Sequence, residues 1–291
     1  MRIYLVATFV YPECLGLFYL RALKSLGHDV DVWDPRMTPE APTYTEKTDL
    51  TIVVKEFVNP LSLPRPRVYI FPDQTMHENY STYLDVITPR YDAVFFCMRH
   101  PTNIMNRYNA RLLPFGIDAE LHKPLEMSRD IDVSFIGTNR PGRTELINFL
   151  SSHGVKIRVW GNNWPSETPN YVGKAIYLTE KQEVNSRSKI VLNHHYLCDM
   201  VGANMRFFEA LGMQCFMLSD VPYQVEELGF IDGQHYASYS NEPDNAWDLL
   251  DKIKRYLEDE RHRKLIAAQG SRFVHENHTY NHRVKEMLAS I

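Results

Sequence analysis

A chain of 291 residues, 44% hydrophobic and 23% charged, holds enough apolar material for two modest domains and too much for a disordered segment. Its formal net charge of −4 gives no general attraction to nucleic acid or to an anionic membrane surface. No run approaches the roughly 20 apolar residues of a membrane span, and MRIYLVATFV passes directly into YPECLG without the flanks or cleavage site of a secretory leader, so a cytoplasmic location is expected.

The opening RIYLVATFV reads as a strand, LGLFYLRALKSLG as a helix ending at Gly27, and DVDVWD as the next strand: a βαβ start. It lacks the GxGxxG of a dinucleotide site, with Gly16 alone near the helix start, which argues against a nicotinamide-dependent epimerase or dehydrogenase. Apolar runs at LTIVVKEF, RVYIF and AVFFCM continue a parallel sheet with helices between its strands. Pro114, Gly116, Asp118 and Pro124, followed by SRD, mark a linker. The pattern restarts at DVSFIGT and runs through RTELINFLSSHG, KIRVWG and KIVLNHHY to CFMLSD. From DNAWDLLDKIKRYLEDERHRKLIAAQG to TYNHRVKEMLASI the chain is helical, with Thr279 a helix cap. The expected fold is therefore α/β: two Rossmann-like domains, residues 1–117 and 131–271, joined by a linker at 118–130 and facing a central cleft, with a closing helix over 272–291. Ligands are expected near the carboxyl ends of the strands.

The four cysteines, Cys14, Cys97, Cys198 and Cys215, have no CxxC spacing, so neither a zinc site nor a disulfide framework is expected. Two DxD pairs, Asp29 with Asp31 and Asp130 with Asp132, are of the type that holds a divalent metal on a diphosphate, but they stand at strand starts, the wrong end of a parallel sheet. His275, His278 and His282 have metal-ligand spacing on a continuous helix, which a cap at Thr279 interrupts. Of His194 and His195, after the strand IVLN, one is expected to be packed and the other solvated. No metal is expected.

The most informative stretch is NMRFFEALGMQCFMLSD, where Asn204, Arg206 and Glu209 stand among apolar residues. Polar groups in such a setting need partners. Either Arg206 and Glu209, three apart on a helix, form an ion pair, or a ligand completes them: a helix start capped by Asn204 and an arginine fork suit a phosphate, and a carboxylate one turn on suits ribose hydroxyls. The loop FIGTNRPGR offers Gly137, Thr138 and Gly142 for close backbone approach and Arg140 and Arg143 for charge, either as a diphosphate cradle or as a polar turn. Asp73 and His100 follow strands of the first domain and are candidates to orient or deprotonate a hydroxyl; the alternatives are a helix-capping aspartate and a surface histidine. RHPTNIMNRYNAR, with Arg107, Tyr108 and Arg111, reads either as a patch for nucleic acid or as a solvated helix whose Ile104 and Tyr108 pack inward.

The succession YDAVFFC, LPFGIDAELHKP, DVSFIGTNRPGR, VWGNNW, KIVLNHH, NMRFFEALGMQCFMLSD and HTYNHR resembles the CgeB-like (spore-maturation-type) branch of the group-1 glycosyltransferases over roughly residues 85 to 285. The resemblance implies a GT-B fold in which the first domain meets the acceptor, the second holds a nucleoside-diphosphate sugar, and the last helix returns to the first domain. It implies that Glu209 holds the donor ribose, that Asn204 and Arg206 face the diphosphate, that Gly137, Thr138 and Arg143 form the phosphate-side loop, and that Tyr177 meets the base. Wider relatives carry another glutamate eight residues before Glu209; here that position is Val201, and no particular sugar is inferred. The expected activity is transfer from a UDP-sugar to an acceptor hydroxyl, with retention at the anomeric carbon, no required cofactor or metal, and Asp73, His100 and Arg206 as catalytic candidates. A saccharide, small molecule or protein is the favoured acceptor. The alternatives are a hydroxymethylated base in DNA, or a non-catalytic nucleotide-sugar-binding protein.

Overall fold

The runs expected as strands are strands, and among the described residues every strand pairing is parallel. The computed structural model describes residues 1–40, 47–56, 58–73, 78–195, 202–221, 224–240 and 245–291. They divide into two units: Met1–Asp118 with Thr279–Ile291, and Ala119–His278.

Unit 1 contains β1 (Arg2–Val6), α1 (Leu15–Ser25), β2 (Asp29–Trp33), β3 (Leu50–Val54), β4 (Arg67–Phe71), α2 (Glu78–Ile87), β5 (Ala93–Phe96), α3 (Thr102–Arg107) and β6 (Ala110–Leu112). Its sheet has the order β2-β1-β3-β4-β5-β6. β3 and β4 are buried along their whole length, as central strands covered on both faces must be, whereas the edge strand β2, DVDVW, stays largely in water. α1 stops where Gly27 takes a φ of +83°, a turn a side chain would resist. The segment after β5, read either as a nucleic-acid patch or as a solvated helix, is α3 followed by the short strand β6. Asn109 adopts a φ of +47° between them and ends the helix, which neither periodicity nor a glycine announces.

Unit 2 contains β7 (Ile131–Ile136), α4 (Arg143–Ser152), β8 (Ile157–Trp160), β9 (Tyr171–Gly173), α5 (Leu178–Arg187), β10 (Ser188–Asn193), α6 (Met205–Gly212), β11 (Met217–Asp220), α7 (Gln224–Glu227), β12 (Ala237–Tyr239), α8 (Asn245–Glu258) and α9 (Glu260–Asn277). The sheet order is β12-β11-β10-β7-β8-β9. Val133, Phe135, Ile190 and Leu218 of the sheet join Leu146 and Leu150 of α4 and Leu249 of α8 in its core. The chain leaves β7 toward β8 and β9 on one side and then returns to place β10 on the other. The switch between β7 and β10 opens a crevice at their carboxyl ends, where parallel α/β sheets take their ligands.

The last helix, α10 (Tyr280–Ala289), belongs to unit 1 and packs on α1. Tyr280 stacks on Phe18 with ring centroids 5.0 Å apart and meets Tyr19 edge-on at 5.4 Å. Buried Arg283 donates from Nε to the Pro114 carbonyl at 2.9 Å and from Nη2 to the Phe115 carbonyl at 3.0 Å, fixing α10 to the end of the unit 1 sheet region. Thr279 caps α10 as expected, in a reciprocal box: its Oγ1 accepts the His282 N–H, and His282 Nδ1 accepts the Thr279 N–H, both at 3.2 Å. Thr279→Ala is expected to cost about 1 kcal/mol of stability, read as a lowered midpoint in urea denaturation with an unchanged slope.

Candidate functional site

The start of α6 is built into the β7/β10 crevice by a chain of hydrogen bonds. Asn204 is its N-cap, accepting the Phe207 N–H on Oδ1 at 3.0 Å and donating from Nδ2 to Asn193 Oδ1, at the end of β10, at 3.1 Å. The Asn204 N–H donates to His195 Nε2 at 3.2 Å. That nitrogen therefore accepts, and Nδ1 donates to Asp220 Oδ1 at 2.6 Å. Asp220, the last residue of β11, also accepts the His195 N–H on Oδ2 at 2.7 Å. Of the histidine pair, His195 is packed as expected, but His194, which should then be the solvated one, has a side chain only 18% exposed and meets the Tyr239 hydroxyl at 2.7 Å. Val201 and Cys198 lie outside the described residues.

Arg206, in the first turn of α6, lies against the end of β7. Its Nη1 donates to the Ile136 carbonyl at 2.6 Å, and its guanidinium carbon stands 5.4 Å from the Phe135 ring centroid. Gly137 makes this approach possible, because a Cβ there would fall 2.0 Å from Arg206 Nη1. One turn on, Glu209 is buried. Lys181 Nζ of α5 stands 2.8 Å from Glu209 Oε2, and His122 Nε2 stands 3.7 Å from Oε1. Burial alone would raise this carboxyl; Lys181, His122 and Arg206 outweigh it and hold it below its ordinary value. Glu209 is thus an ionised carboxylate in a pocket lined also by Ile136, Asn193 and Arg206.

The other unit 2 candidates hold different positions. Arg143 is buried: Nη1 donates to the Thr138 carbonyl and Nη2 to the His194 carbonyl, each at 2.6 Å, bracing the loop after β7 against the end of β10. Its guanidinium carbon lies 5.4 Å from the same Phe135 ring. Tyr177 is exposed at the N-cap position of α5, one turn before Lys181. Lys181, His122 and Asp220 are contributors that sequence reading did not single out, and it marks His195 only as one of a packed and solvated pair. A charged residue in the otherwise polar LTEKQEVNSR carries no mark of burial.

In unit 1, the structure brings Asp73 and His100 together beyond β4 and β5. Lys55 Nζ pairs with Asp73 Oδ2 at 2.5 Å. His100 is buried, its ring edge-on to Phe96 at 5.2 Å, and it hydrogen-bonds the Asp73 backbone; burial lowers its pKa more than that bond raises it, so the ring is neutral at pH 7. A further buried carboxyl, Glu56, follows β3, with Arg36 Nε 3.5 Å from Oε2; burial raises its pKa against the pull of Arg36.

The bland alternatives account for the remaining motifs. Asp31, midway along β2, pairs with Arg2 at 2.9 Å, and at the amino end of β7 Asp130 pairs with Arg187 at 2.5 Å and Asp132 with Lys189 at 2.6 Å. His275 meets the Gly212 carbonyl, His278 the Leu228 carbonyl and His282 the Thr279 cap, so the three rings diverge. Among the described residues no group of three His, Cys, Asp or Glu side chains is placed to hold a metal ion. Tyr108 is buried in the unit 1 core with Ile104 packed against it; Arg107 pairs with Asp85, and Arg111 donates to the Ser290 carbonyl.

The Asp220 and His195 pair sets a pH signature. Burial would raise the Asp220 carboxyl, but His195 and then His194 hold it below its ordinary 3.8. A carboxyl depressed in the folded chain contributes stability that is complete above its unfolded value and disappears as pH falls through the lower, folded one. The stability difference between wild type and Asp220→Asn is therefore expected to narrow as pH falls below about 4, measured by urea denaturation from about pH 5 downward.

Comparison with known proteins places this geometry. None of the curated proteins matches the chain at the level of sequence. Its structure is similar to that of HepE from Anabaena, solved in complex with UDP and glucose, at 14% identity and TM-score 0.69 with 100% of each chain covered. It is similar to sucrose-phosphate synthase from Thermosynechococcus elongatus at 12% identity and TM-score 0.67, covering 99% of this chain and 98% of that one. A DNA-modifying β-glucosyltransferase aligns at 15% identity and TM-score 0.67 over 100% of this chain and 98% of that one. These likenesses identify the fold as GT-B. The family model described as "Glycosyl transferase-like" (Glyco_trans_1_2) matches residues 140–289, just over half of the chain and including the whole of α6. The chain belongs to this glycosyl transferase-like family and is a group-1 glycosyltransferase of GT-B fold.

Proposed function

We propose that the protein transfers a sugar from a UDP-sugar to an acceptor hydroxyl, with unit 2 holding the donor and unit 1 supplying the acceptor-side residues. The observation that carries this reading is the arrangement at the start of α6: an Asn-capped helix N-terminus, the Arg206 fork and the ionised Glu209 share one crevice at the sheet's switch point. Helix N–H groups and Arg206 would stabilise charge developing on the departing diphosphate, and Glu209 would accept the ribose hydroxyls. Gly137 and Thr138 would stand on the phosphate side, Gly137 making room for the Arg206 guanidinium and Arg143 holding their loop in place. Tyr177 would meet the base. Likeness to HepE, solved with UDP and glucose, supports a UDP-sugar.

Asp73 and the neutral His100 would orient the acceptor hydroxyl. We assign the CgeB-like branch and a retaining outcome on the motif succession described above. Positive charge from Arg206 and the helix start, together with the pairing of Asp31, Asp130 and Asp132 to cations away from the strand carboxyl ends, supports chemistry without a required metal. The described cysteines, Cys14, Cys97 and Cys215, are buried thiols, which supports a reducing, cytoplasmic setting. No described helix is long and apolar enough to cross a membrane.

A saccharide, small molecule or protein is the favoured acceptor. Likeness to the DNA-modifying β-glucosyltransferase favours a second reading, a hydroxymethylated base in DNA. Against it, Arg107, Tyr108 and Arg111 are engaged within unit 1. Assay of UDP-sugars against simple glycans, small hydroxyl acceptors and hydroxymethylated duplex DNA tests both; transfer to DNA that falls steeply with salt would select the second.

Two outcomes are expected with the active donor. In the folded variant, Glu209→Gln weakens donor binding by about 1–3 kcal/mol, at a cost in stability because the Lys181 ammonium loses its partner, and Arg206→Ala lowers kcat more than donor affinity, as loss of a contact made to the leaving group requires; steady-state kinetics with calorimetric donor titration reads both. Separately, activity survives EDTA, and full loss restored by magnesium or manganese would refute metal independence.

A further inference from the structure

Glu209 has Lys181 beside one carboxylate oxygen and His122 beside the other, groups that the donor reading does not assign. Lys181 is buried on α5, and its ammonium sits 2.8 Å from Glu209 Oε2. Asn185, one turn further along α5, lines the same pocket, and its amide oxygen is buried with no hydrogen-bond partner among the described residues. A lysine placed only for solubility would point into water, and a carboxylate placed only for ribose would pay heavily for burial without a cation beside it.

We propose that Lys181 is a positioning residue of the donor site: it holds Glu209 ionised, with Oε2 drawn toward α5, so that the carboxylate's remaining lone pairs meet the ribose hydroxyls in a fixed direction. The inference rests on Glu209 being the ribose ligand. A carboxylate oxygen accepts more than one hydrogen bond, so the Lys181 contact persists when the ribose arrives and no ion pair has to break. The unpartnered Asn185 oxygen marks the pocket as one that takes hydrogen-bond donors, in keeping with a sugar hydroxyl or its bridging water.

The test is calorimetric titration of wild type, E209Q, K181M and K181M/E209Q with UDP, ADP, GDP and dTDP, each variant first checked by thermal melting. For the nucleotide bound best, K181M is expected to weaken affinity about tenfold or more and to raise donor KM more than it lowers kcat, while K181M/E209Q binds no worse than E209Q. A folded K181M that binds like wild type shows a purely structural pair and overturns the proposal. So does a double variant clearly weaker than E209Q, because Lys181 would then act on the ligand without Glu209; in both cases the Glu209 assignment stands. E209Q binding like wild type overturns that assignment and the proposal with it, as does a wild type that binds none of the four. If K181M does not fold, E209Q against the double variant decides, since neither contains a buried carboxylate stripped of its ammonium.

Discussion

The unit 2 site depends on keeping one carboxylate charged out of water. Glu209 is buried, and an isolated carboxylate in that position would take up a proton rather than stay ionised. The Lys181 ammonium and the His122 ring tip this balance, with Arg206 one turn away adding to it. Removing one partner of such a pair costs about 3–5 kcal/mol, so the pairing constrains everything attached to it. It fixes the face α6 turns to α5, which sets where Asn204 caps and where Arg206 meets the end of β7.

Phe135 shows how two neighbouring arginines take different parts. Both guanidinium carbons stand 5.4 Å from its ring, but Arg143 is buried and donates to the Thr138 and His194 carbonyls, while Arg206 donates to the Ile136 carbonyl and lines the pocket. One makes the loop rigid, and the other presents charge. The His195 and Asp220 relay does for the start of α6 what Arg143 does for the loop after β7, so both walls of the crevice are held by groups outside it.

Much of this was legible in the sequence, for a physical reason. Asn204, Arg206 and Glu209 stand out because they are polar where their neighbours are apolar, and the strands show themselves as apolar runs because both faces of their sheets are covered. Gly137 was legible as a place of close approach, though only the structure shows that a guanidinium makes that approach. Lys181 and His122 were not legible. They lie 28 and 87 residues from Glu209 in segments rich in other polar residues, and nothing local distinguishes a lysine that faces a carboxylate from one that faces water. The edge strands β6, β9 and β12, three residues each, are too short for periodicity to register.

Unit 1 is completed by the segment that follows unit 2, because α10 covers Phe18 and Tyr19 of α1 and Arg283 binds the carbonyls after β6. During synthesis the first sheet therefore emerges early yet keeps an aromatic face uncovered until all of unit 2 has been made. The order of closure is the reverse of the order of translation, and the unit that appears first is the last whose packing is finished.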